Sequence, residues 1–238
     1  MNFAAKGEVK MKKTLPALSF KNYFRYKIIR VSLFASCMLL LAAAGFTSAW
    51  GENYTLFEKS CGTDNSTVKK VLIAYDTKHG STAHIAEKIG DVLCENGLRV
   101  DIRLAYHVDD ISAYDAVVIG SPVYYSTFLP GTLKFLDRHK ATLANKKVAA
   151  FVISVSVDKT TGKVNTNVLN MITSTVFSKF PEITFIDPVG LLPGKFYFKE
   201  IFPVEIIGFK LSGFAESGNL MNDDFVRAWA EQIAPLLK

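Results

Sequence analysis

From residue 71 to the C terminus, short apolar runs alternate with amphipathic stretches, and that alternation leaves few folds open. Residues 71–75 (Val-Leu-Ile-Ala-Tyr), 116–120 (Ala-Val-Val-Ile-Gly) and 148–155 are largely apolar runs of strand length, as expected of strands covered on both faces. Residues 81–95 place Ile85, Ile89, Val92 and Leu93 on one stripe and run out at Gly97, a helix stop. Residues 131–139, 164–180 and 225–237 read as further helices, the last capped by Asp223 or Asp224. Residues 98–104 alternate Val100, Ile102 and Leu104 with Arg99, Asp101 and Arg103, the pattern of an edge strand with one solvated face, and 183–186 supplies a fifth strand. Strands interleaved with helices close into a parallel sheet with helices on both faces. The expected domain is α/β, a three-layer sandwich around a five-stranded sheet of order 2-1-3-4-5, over residues 68–238.

In such a sheet, ligands bind beyond the carboxyl ends of the strands, where the strand order reverses. The loops after the first and third strands meet there. The first is Thr77, Lys78, His79, Gly80, Ser81 and Thr82, and it opens a helix. Its hydroxyls, together with the free N–H groups of a helix N-terminus, make a phosphate cradle, and Gly80 lets the backbone come close. The spacing is neither Gly-x-Gly-x-x-Gly nor a P-loop. Asp76 precedes it, and a carboxylate beside a phosphate repels it unless turned away or paired with Lys78. The second loop is Ser121, Pro122, Val123, Tyr124 and Tyr125, which brings aromatic rings to the same crevice. A flat ring with a phosphate tail needs both.

Thr77-Lys78-His79-Gly80-Ser81-Thr82 together with Gly120-Ser121-Pro122-Val123-Tyr124-Tyr125 resembles the flavin loops of the flavodoxin-like FMN domains. Three later features resemble the menaquinone-dependent, oxygen-independent protoporphyrinogen oxidase branch. They are Phe135-Leu136-Asp137-Arg138-His139-Lys140, the Ser154-Val155-Ser156 loop, and a hydrophobic insertion at about 189–217. The resemblance covers residues 69–238. It implies FMN as cofactor, with its phosphate on Thr77–Thr82, Tyr125 and Tyr124 stacked on the ring, and Ser154, Val155 and Ser156 at the pyrimidine edge. It also implies an oxidoreductase with a quinone acceptor and a porphyrinogen donor, and membership in heme biosynthesis. No acid–base side chain stands out, so no catalytic residue is named. Two rivals stay open: a flavodoxin-type electron carrier without its own substrate, and a non-redox binding module whose flavin site has decayed.

The remaining chain bears on location. Residues 1–50 carry six Lys, two Arg and one Glu, a net +7, so the rest of this +6 chain sums to −1. A folded part so nearly neutral offers no bulk electrostatic case for nucleic acid. Residues 31–51 are 21 in a row without a charge, behind a basic flank of Lys21, Arg25, Lys27 and Arg30. That reads as an N-terminal hydrophobic helix, either one membrane span or a signal peptide cleaved near Thr47-Ser48-Ala49. Either way the flank stays in the cytoplasm and the domain lies outside. Residues 52–67 read as a polar linker. The three Cys and four His show no Cys-x-x-Cys or other ligand spacing, so no metal site is expected. Cys61 and Cys94 could pair in an exported domain, but two unrelated thiols is the favoured reading.

Overall fold

The computed structural model describes residues 57–63, 65, 67–156, 158, 161–196 and 218–238. The expected N-terminal hydrophobic helix and most of the insertion lie outside these residues. Among the described residues, no helix is long and apolar enough to cross a membrane.

The elements run β1 (Lys59–Cys61), β2 (Lys70–Tyr75), α1 (Ser81–Glu95), β3 (Arg99–Leu104), β4 (Ala116–Pro122), α2 (Pro130–Leu143), β5 (Lys147–Ser154), α3 (Asn167–Thr175), β6 (Gly190–Pro193), β7 (Lys195–Phe196), β8 (Gly218–Asn219) and α4 (Asp223–Leu237). The main sheet has the order β1-β3-β2-β4-β5-β6. Every pairing in it is parallel except β1 against β3. Set β1 aside, and the five parallel strands follow the expected 2-1-3-4-5 order. This is a flavodoxin-like α/β fold.

Strand alternation divides the core between two layers. Val71, Ile73 and Tyr75 of β2 face α1 and α4, where Ile85, Ile89, Trp229 and Ile233 pack. Leu72 and Ala74 face the opposite layer, where Phe135 and Leu136 of α2 and Val168 and Ile172 of α3 pack. Full burial of each such large apolar side chain contributes ~1.5–3 kcal/mol.

Five expectations need correcting. The fifth strand is not 183–186. Phe185 makes only an isolated bridge to Val148 and stacks its ring on Phe177, while Gly190–Pro193 completes the sheet beside β5. Pro188, which has no N–H to give a ladder, interrupts the run between the two segments. The cap of α4 is Asn222, whose side chain accepts from the N–H of Asp224 and Phe225; Asp223 and Asp224 instead occupy the first turn. The helix expected over 164–180 shortens to Asn167–Thr175 followed by a 3₁₀ turn, Phe177–Lys179.

The fourth and fifth corrections concern the outer edge. β3 is not an edge strand, because part of the expected linker forms β1 and covers it, with Ser60 opposite Asp101. Asp101 is therefore buried rather than solvated. It accepts from Ser60 Oγ at 2.6 Å and Tyr114 Oη at 2.9 Å, and Lys70 Nζ lies 3.1 Å away. Burial pushes its carboxyl up, but these three partners more than offset this and hold it below the usual range. Tyr114 is pushed up to about 12, by burial first and then by its bond to Asp101. Cys61 of β1 and Cys94 of α1 form a disulfide, with Cα atoms 6.1 Å apart, so the two thiols are not unrelated.

Candidate functional site

Tyr75 ends β2 fully buried, and its hydroxyl is held by the backbone of Phe57. Phe57 N–H donates to it at 3.1 Å, and it donates to Phe57 C=O at 2.8 Å. The chain then leaves the sheet. Asp76 ties its carboxylate between the loop's first residue and α2: Oδ1 accepts from Thr77 N at 2.8 Å and Oδ2 from Gly131 N at 3.0 Å. Gly131 sits in the first turn of α2, whose N-cap residue, Leu129, offers no side-chain bond. Asp76 therefore caps α2 from across the crevice, where the helix dipole favours a negative charge. A Cβ on residue 131 would run into Asp76 Oδ2. Burial raises the Asp76 carboxyl above its ordinary value, against the backbone donors Thr77, Gly131 and Thr132.

With Asp76 committed to α2, the loop to Thr82 presents donors. Thr77 Oγ1 accepts from Gly80 N at 3.0 Å, which closes the turn. Gly80 has φ +80°, the left-handed region that glycine enters without steric cost, and it is the N-cap of α1. Ser81 and Thr82 are both buried. Thr82 Oγ1 is buried with no hydrogen-bond partner among the described residues. The first-turn N–H groups of α1 have no intrahelical acceptor either. An orphan hydroxyl at a helix N-terminus is a group waiting for an acceptor.

Three loops enclose one cleft here. The first contributes Thr77, Lys78, His79, Ser81 and Thr82; the second Pro122, Val123 and Tyr124; the third Ile153, Ser154 and Val155. Lys195, just beyond β6, completes the lining, which contains no carboxylate. Lys78 Nζ lies 4.8 Å from the centre of the Tyr124 ring, and the His79 ring lies 6.3 Å from it, tilted by 38°.

Four of the residues expected at the site do not line the cleft. Gly80 shapes the turn without lining the cleft. Ser121 is fully buried beneath it and accepts from Leu129 N. Tyr125 is 84% exposed at the rim. It forms a two-residue turn with Ser126, both at positive φ, closed by reciprocal Tyr124 and Thr127 backbone bonds. Ser156 folds back, its N–H donating to Ser154 Oγ. The ring at the cleft is thus Tyr124. Sequence reasoning missed Ile153, which reads as core, and Lys195, hidden by the misplaced fifth strand.

Residues 72–181 match the flavodoxin domain. Over 84 residues the chain is 31% identical to protoporphyrinogen IX dehydrogenase (quinone) of Escherichia coli K12, and equally to that of Escherichia coli O157:H7. The matched stretch is 34% of this chain and 46% of that protein, so the chain spans about half the length of these relatives. A solved flavodoxin from the domain Archaea is 20% identical with a TM-score of 0.48, covering 71% of this chain and 98% of that one. The rubredoxin oxygen:oxidoreductase of Desulfovibrio gigas is 20% identical with a TM-score of 0.44, covering 71% and 36%. FMN is the cofactor of a flavodoxin domain, and this cleft fits it. The orphan Thr82 hydroxyl, the first-turn N–H groups and two lysines suit the phosphate, and Tyr124 offers the ring an aromatic face.

Proposed function

We propose that this flavoprotein is an FMN-dependent oxidoreductase that takes electrons from an apolar donor, protoporphyrinogen IX or a related molecule, and passes them to a quinone. The observation that carries the reading is the buried, unpartnered Thr82 hydroxyl in a carboxylate-free cleft walled by the three expected loops. Bound FMN supplies the electron-transfer chemistry. The chain's own part is to hold the phosphate at the start of α1, to flank the ring with Tyr124, and to keep Asp76 out of the way. The partial similarity to the quinone-linked dehydrogenases supports the donor and acceptor classes. The aromatic-rich segment 196–211 supports an apolar substrate.

The same proposal puts the domain outside the cytoplasm, tethered by residues 31–51 or released after them. The basic flank and the Cys61–Cys94 disulfide support that side, since such bonds persist in oxidising compartments. The test is to load the full chain with FMN, reduce it and follow reoxidation by a quinone. Purified protein that is colourless and takes up no flavin sinks the cofactor. Protein that binds FMN but reoxidises only with small soluble acceptors leaves the electron carrier as the better reading. A reporter fused after Lys238 that is active only inside the cell removes the export.

A further inference from the structure

We propose that Lys195 is a phosphate-selecting residue, a cation that makes this cleft prefer FMN over flavins lacking the phosphate. The proposal rests on the FMN reading and deepens it. Lys195 lies outside the three loops that form the rest of the cleft, yet it lines the same space as Thr77, Ser81 and Thr82. Its position is set from both sides. Gly194 N donates to Ser154 O at 3.1 Å, and Lys195 pairs with Asn219 in the β7–β8 ladder.

The approach is close because residue 194 is glycine. A Cβ there would lie 2.6 Å from Ile153 Cγ2, so any side chain would force this strand end or β5 to shift, and 3.5 Å from Ser81 Oγ, an ordinary contact with the start of α1. The backbone just ahead of Lys195 thereby lies against Ser81 at the start of α1, and Lys195 lines the cleft together with Ser81 and the orphan Thr82 hydroxyl. Among the described residues, no carboxylate pairs with its ammonium, and none lines the cleft. A lysine ammonium lining a cleft without a carboxylate favours an anion as ligand. A dianionic phosphate ester supplies it, whereas a neutral ring does not. A lysine is suited to this as a point charge on a flexible stem.

The test compares full-length wild type, Lys195→Gln and Lys195→Arg for binding of FMN and of riboflavin, by quenching of flavin fluorescence. The expected result for Lys195→Gln is a loss of about tenfold for FMN, no change for riboflavin, and a shallower salt dependence of FMN binding. Lys195→Arg should recover most of the loss. Equal loss for both flavins would overturn the proposal, since Lys195 would then act on the ring or the fold. Unchanged FMN binding would overturn it as well. Wild type that takes neither flavin would instead refute the FMN reading on which it stands.

Discussion

The outer flank of the sheet and the cleft at its carboxyl edge treat polar groups in opposite ways. On the flank, Asp101 sits under β1 with Ser60, Tyr114 and Lys70 all directed at it. Its carboxyl is held low by those partners in spite of burial. At the carboxyl edge, outside the cleft lining, Asp76 is met by backbone N–H groups alone and burial raises it, while the Thr82 hydroxyl in the cleft has no partner among the described residues. Both regions bury polar atoms, which costs free energy unless they are bonded. The flank is complete without a ligand and works as structure. The cleft is complete only with one.

The largest break in that contrast is Asp101→Ala. It strands Lys70, Ser60 and Tyr114, and should lower unfolding free energy by about 3 kcal/mol, read from the urea midpoint. FMN affinity per folded molecule should stay the same. Thr82→Val does the reverse. It replaces an orphan hydroxyl with a methyl of the same shape, so the apoprotein should be unchanged or more stable. FMN should bind roughly tenfold or more weakly, because a hydrogen bond to a charged group is worth ~1.5–3 kcal/mol.

The two carboxyls should also part on titration. A lowered carboxyl stabilises the fold above its unfolded value and loses that contribution as pH falls through its folded value. This is the behaviour of Asp101. Asp76, raised, should contribute in the opposite sense, with stability falling as pH rises through its folded value. Urea midpoints across acidic pH for wild type, Asp101→Asn and Asp76→Asn would show it. On the alkaline side, the raised Tyr114 should stabilise the fold below pH 10.0 and lose that contribution as pH rises toward about 12, a slope that Tyr114→Phe should remove.

The smallest effects separate the paired tyrosines. Tyr124→Ala should weaken FMN binding by ~0.5–1.5 kcal/mol through loss of an aromatic contact. Tyr125→Gly should leave both affinity and stability within ~0.5 kcal/mol, since the residue is exposed and its positive φ suits glycine. Equal losses in the two variants would place both rings on the flavin.

Four of the five parallel strands and the two cleft loops were legible because their signals are local. Val71 to Tyr75 has no polar interruption, and the Thr77–Thr82 loop sits directly after it. What escaped depended on partners distant in sequence. Nothing near Asp101 tells that Ser60, 41 residues away, will cover it. Nothing near Asp76 tells that it will cap a helix starting more than 50 residues later. Ile183 to Ile186 has the composition of a strand, but Pro188 and the space under Trp229 for Gly190 decide which residues join the ladder. Lys195 was obscured by that same slip.

The hold of Phe57 on Tyr75 fixes where the chain ahead of residue 57 enters the domain. Phe57 enters at the carboxyl edge of the sheet, the edge that carries the cleft. Lys238 finishes at the opposite edge, where Lys147 at the start of β5 donates to its carbonyl at 2.6 Å. A strand of this length separates the two edges by roughly 20 Å. Coupled to an electrode or bead through residues ahead of Phe57, the domain would present its working face to the support. Coupled through Lys238, it would present that face to solution. Interfacial electron transfer compared between the two orientations would gauge how much the point of attachment controls the current.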